Sequence, residues 1–180
     1  MKIYILDREE IKMSEQNINT QFLNYIKENI TGDAQQNALN FVQYLISIGM
    51  TAEGSTNDGK FVYKGKTVCY TYFGNSKHTP GYPEPYTIWT TDDDYSKEVE
   101  SVPFNNRMKE AAWANAHKCD DNCPNKKTRC NGGQRKVIFG REFDNICVGS
   151  TIGFTGPDSE AVECAKKLME MRKHAIDISE

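Results

Sequence analysis

Residues 60–73 read Lys-Phe-Val-Tyr-Lys-Gly-Lys-Thr-Val-Cys-Tyr-Thr-Tyr-Phe, two runs of β-branched and aromatic residues on either side of a lone glycine. That composition predicts a β-hairpin, with strands over 60–63 and 67–73 and a turn around Lys64-Gly65-Lys66. A loop with Pro80, Gly81, Pro83 and Pro85 follows, and Tyr86-Thr87-Ile88-Trp89-Thr90-Thr91 then has the texture of a third strand. The three should lie side by side as a meander. Val137-Ile138-Phe139 and residues 146–154 read as two more strands, joined by a turn near 140–145.

Helical periods flank this sheet. Ile18, Phe22, Ile26 and Ile30 fall on one face of a helix over 15–30, which Thr31-Gly32 stops. Asp33 suits the N-cap of a second helix carrying Ala38, Val42, Leu45 and Ile46 and ended by Gly49. So short a connection predicts an antiparallel pair. Asn105 or Asn106 suits the cap of a third helix reaching His117, with Met108, Ala112 and Ala116 on one face. The last helix opens at Thr155-Gly156-Pro157-Asp158, with Pro157 read as the first helical position and Thr155 and Asp158 at capping-box spacing. The expected fold class is α+β: an N-terminal helix pair, an antiparallel sheet of about five strands, two further helices and a metal-pinned loop.

At 180 residues, 38% hydrophobic and 26% charged, the chain suits a single α+β domain over 1–180, with 1–14 as an N-terminal extension. The run Ile3-Tyr4-Ile5-Leu6 is too short, and too soon followed by Asp7 and Arg8, for a secretory leader. No apolar stretch approaches the roughly 20 residues of a membrane span. The expected location is the cytoplasm, with no membrane partner. A net charge of −3 makes nucleic acid an unlikely partner.

Six cysteines in a reducing compartment point to metal, redox chemistry or core packing before disulfides. Cys119, Cys123 and Cys130 sit in a loop rich in Asn, Gly and Pro, and Cys147 follows after a strand-sized interval. Zinc takes four such thiolates in a tetrahedron. A segment with almost no apolar side chain between 118 and 136 needs something other than a core to order it, and a metal supplies that. The reading is a structural zinc site, Cys119, Cys123, Cys130 and Cys147, within a cysteine-rich segment 118–147. Unliganded thiols, thiol redox work and an iron–sulfur cluster are its rivals. His117 is the alternate ligand. Lys118, Lys126, Lys127, Arg129, Arg135, Lys136 and Arg141 surround the cysteines and suit a negatively charged thiolate centre. Cys69 and Cys164 read as small core residues.

The stretch from about Trp113 to Arg172, with these loop cysteines, Lys136-Val137-Ile138-Phe139-Gly140-Arg141-Glu142-Phe143-Asp144-Asn145-Ile146-Cys147, and the spaced acids and thiol of 157–164, resembles a group of uncharacterised cysteine-containing bacterial proteins, mostly from anaerobic Gram-positive species. The resemblance implies that 119–147 is one unit. It implies no activity.

Other signals are weaker than their ordinary explanations. The aromatics of 61–95 suit a sheet enclosing a small apolar ligand, but packing on helices explains them as well. Asp92-Asp93-Asp94 lacks the spacing of a calcium loop and reads as a solvated turn. Three histidines, His78, His117 and His174, sit in no catalytic pattern, and no phosphate or dinucleotide loop is present. The functional expectation is a zinc-stabilised binding, interaction or ligand-sensing domain. The alternatives are a metal- or cysteine-dependent enzyme and a weak nucleic-acid-binding module.

Overall fold

The computed structural model describes residues 8–74, 85–97, 99–119 and 132–179, with side chains from residue 18 on. Helix α1 (Arg8–Asn29) begins inside the stretch that periodicity leaves as an extension. Helix α2 (Gly32–Ser47) follows at once, and Gln35 ties the two together by donating to the carbonyls of Lys27 (3.0 Å) and Ile30 (2.6 Å). Lys27 is in the last turn of α1, where carbonyls lack partners within the helix, and Ile30 directly follows it. Thr31, not Asp33, occupies the N-cap of α2; Asp33 falls in the first turn, where its charge complements the helix dipole. Gly49 (φ 88°) closes α2, its own N–H on Ile46 and that of Met50 on Leu45, both at 3.0 Å. This is a Schellman stop that needs a left-handed residue.

The stop launches β1 (Thr51–Gly54), a strand whose Thr-Ala-Glu-Gly sequence carries little β signal. It is the edge of an antiparallel sheet ordered β1-β2-β3-β4-β7, with β2 at Asp58–Tyr63, β3 at Lys66–Phe73, β4 at Tyr86–Thr90 and β7 at Gly153–Thr155. The β2–β3 turn is Lys64-Gly65, both at positive φ, as the tight right-twisted hairpin requires. The register puts Ala52, Phe61, Cys69, Phe73, Tyr86, Ile88 and Phe154 on one face, all buried. Helix α1 lays Phe22 on that face, 5.8 Å from Phe61 and 6.2 Å from Phe73 ring to ring. Gly59 lies directly beneath: a Cβ there would stand 2.1 Å from the Phe22 ring.

Helix α3 (Asn106–Ala114) is capped by Asn105, whose side chain accepts the Met108 N–H. It ends before Ala116, so His117 is not helical. Helix α4 (Ser159–Asp177) is capped by Asp158 accepting from Ala161 (2.8 Å). Pro157 therefore stands outside the helix, its carbonyl accepting the Tyr86 hydroxyl, while Thr155 is held in β7 opposite Thr87. Val162, Ala165, Leu168 and Met169 of α4 are fully buried. Cys164 donates to the Met108 carbonyl (3.2 Å), and burial pushes its thiol up to about 12. Burial likewise raises the Cys69 thiol. Both stay protonated core residues.

Of the acidic triplet, Asp92 and Asp94 are exposed as expected of a solvated turn, and Asp93 is not. Asp93 is 9% exposed in its side chain and pairs with Arg172 (2.8 Å), accepting also from the Thr91 (2.6 Å) and Tyr95 hydroxyls. Asp92 pairs with Lys136. Asp94 accepts from Ser96, whose hydroxyl and N–H hold its carboxyl below the usual range. No pair of these carboxylates is free to share a cation. Asp93→Asn keeps the volume but strands Arg172, and should lower the unfolding free energy by about 2 kcal/mol in urea titration. A change under ~0.5 kcal/mol would show the pair to be dispensable.

Candidate metal centre

The cysteine-bearing half of the chain is organised by a second hairpin, β5 (Gln134–Ile138) and β6 (Arg141–Ile146). Its turn is Phe139-Gly140, at φ 46° and 80°. The expected strand over 137–139 and turn near 140–145 are thus displaced, because Phe139 leaves the strand to fill a pocket. Its ring lies 4.4 Å from Phe104 and 6.0 Å from Tyr95, and its N–H donates to the Tyr95 carbonyl (2.8 Å). Tertiary packing thereby holds a bulky residue in a backbone region it normally avoids.

Residues 115–119 form an extended segment between the two sheets. Ala116 bridges Ile152, and Lys118 bridges Ile146. Gly153 donates to Asn115 and His117 to Thr151, both at 2.9 Å; on the other side Cys119 donates to Asn145 (2.7 Å) and Cys147 to His117 (2.8 Å). In an antiparallel pair, residues directly opposite share a face and alternate positions return to it. His117, Cys119 and Cys147 therefore share the face opposite to that of Lys118 and Ile146.

Cys119 is 8% exposed and Cys147 half-buried; both are free thiols. The Gly149 N–H points at Cys147 Sγ (3.4 Å). Asn145, itself at φ 61°, clips Cys119 from both ends: its carbonyl takes the Cys119 N–H and its side-chain amide donates to the Cys119 carbonyl (3.1 Å). Gly133 returns against the same residue, where a Cβ would stand 2.6 Å from the Asn145 carbonyl carbon. Both ends of the stretch between Cys119 and Gly133 are thus anchored on Asn145. Cys123 and Cys130 lie in that stretch, outside the described residues, as do Lys126, Lys127 and Arg129.

Cys119 and Cys147 stand diagonally across the pairing. Regular diagonal neighbours have Cβ atoms about 7 Å apart, too far for a disulfide, which needs ~4 Å. The span suits two thiolates on one tetrahedral ion, whose sulfurs would be roughly 3.8 Å apart at a zinc–sulfur distance near 2.3 Å. Among the described residues, no three of His, Cys, Asp and Glu come together as a metal group. The His117 ring lies 4.6 Å from that of Trp89.

Three of the four described cations of the expected surround are engaged elsewhere. Arg135 pairs with Glu142 (3.1 Å) and Asp144 (3.3 Å), Lys136 with Asp92 and the Thr151 hydroxyl, and the Arg141 guanidinium lies over Trp113 and Phe143. Of the aromatics that suggested a ligand pocket, Phe61, Phe73, Tyr86 and Tyr95 fill the core. A cavity of about 740 Å³ runs along β1 past Ile18, Glu53, Val62 and Tyr63, away from the cysteines. No described helix is long and apolar enough to cross a membrane.

Asn145 and Gly133 carry no signal in the sequence for these roles, and the Gly149-x3-Gly153 spacing reads only as a bulge or close packing in a strand. The local signal for Gly149 is instead the Cys-x-Gly spacing that lets an N–H turn back onto the sulfur. Comparison of the chain with protein-family models, curated proteins and solved structures finds no match.

Proposed function

We propose that the chain binds one structural zinc ion through Cys119, Cys123, Cys130 and Cys147, and works as a metal-stabilised binding or interaction domain. The observation that carries this reading is the shared face of Cys119 and Cys147, with the Gly149 N–H on the Cys147 sulfur. Two thiolates presented from adjacent strands form half of a four-ligand site, and the chain supplies two more between Cys119 and Gly133. Four protein ligands leave no coordination position for substrate, so the ion's work is to hold the fold. Substituting cobalt(II) tests the ligand set. A tetrahedral thiolate site gives intense visible bands, lost in Cys119→Ser and Cys147→Ser; the pale spectrum of a six-coordinate oxygen site overturns the assignment.

A second reading rests on one observation: His117 stands directly opposite Cys147 in the strand pairing. A histidine beside a thiol is the arrangement of cysteine nucleophiles. The two readings separate by alkylation of metal-free protein. A Cys147 that reacts no faster than an ordinary thiol at neutral pH, and is unchanged by His117→Ala, excludes the nucleophile. The nucleic-acid reading has less support, because Arg135, Lys136 and Arg141 of the basic segment have partners in the chain.

A further inference from the structure

We infer, on the reading that Cys119 and Cys147 hold zinc, that metal loading sets the seam between the two sheets and is read out at Trp89. The five-stranded and two-stranded sheets are joined through segment 115–119, which pairs with 151–153 on one side and 145–147 on the other. Cys119 and Cys147 flank the Lys118–Ile146 bridge, so an ion gripping both sulfurs crosses the joint. His117 lies in the same segment as Cys119 and stands opposite Cys147. Its ring meets Trp89 on β4 because the intervening strand carries Gly153, where a Cβ would already touch both His117 (3.6 Å) and Trp89 (3.8 Å). Trp89 in turn meets Tyr72 edge-on at 5.8 Å. A displacement of 115–119 therefore changes the surroundings of an indole one strand away.

The coupling is confined to the seam. The far end of the hairpin is held without the cysteines, by the Trp113 Nε1–H on the Ile138 carbonyl (2.7 Å) and by Phe139 against Tyr95 and Phe104. A ligand that binds only the closed seam slows its opening by mass action, and amide exchange reports that opening. Core strands stay out of the response.

The test uses the full chain, reduced and stripped by chelator, with zinc(II) alone added back. Amides of His117, Cys119 and Cys147 should exchange roughly tenfold more slowly with zinc, while those of Phe139, Cys69 and Ile88 are unchanged. In Trp113→Phe, which leaves Trp89 as the one tryptophan of the chain, emission should shift on zinc addition and not in the same variant carrying Cys147→Ser. Zinc bound at one per chain with unchanged seam exchange and emission overturns the coupling and leaves the metal site standing. No zinc bound overturns both.

Discussion

Gly59→Ala should lower the unfolding free energy by about 3 kcal/mol, a large fraction of the stability of a domain this size. The added methyl would stand 2.1 and 2.5 Å from two carbons of the Phe22 ring, closer than any real contact. Phe22 has no room to retreat: it is fully buried, with Phe61 and Phe73 packed edge-on against it. Either α1 lifts from the sheet or β2 bends away from it, and both expose apolar area. Phe22→Leu alone should also destabilise, but the double variant should lose less than the sum, because the smaller side chain makes room for the methyl. Urea unfolding of the four proteins decides the matter. Full additivity, or a Gly59→Ala loss below ~1 kcal/mol, would mean that α1 is not seated on β2 by this ring.

Cys147→Ser should lose bound metal and become open to protease cleavage between Cys119 and Gly133, with the five-stranded sheet intact. Serine is a poor zinc ligand, so the variant would leave the proposed site one thiolate short. Cys164→Ser is the contrasting variant. A hydroxyl there inherits the Met108 carbonyl that the thiol already uses, so the loss should be about 1 kcal/mol or less, with metal content unchanged. Full metal and protease resistance in Cys147→Ser would remove Cys147 from the site.

What could be read along the chain was what depends on neighbours in sequence. The 60–73 hairpin announced itself through β-branched and aromatic alternation around Gly65, and the helices through their apolar periods. Strand β1 did not, because Thr51–Gly54 is a strand only by virtue of the Gly49 stop before it and β2 beside it. Phe139 looked like strand and is a turn, since the energy holding it there comes from Phe104 and Tyr95. Asp93 looked solvated and is buried by Arg172, far away in sequence. The cysteine cluster was legible as composition. That Cys119 and Cys147 share a face was not, because it follows from the pairing of 118 with 146, and His117 left its expected helix for that same pairing.

Metal content of the untagged protein, purified under reducing conditions without added metal, tests the zinc site most directly. Elemental analysis should find about one zinc per chain, falling to background when Cys119 and Cys147 are both replaced by serine. Less than half an equivalent of any transition metal in the unaltered chain would contradict it.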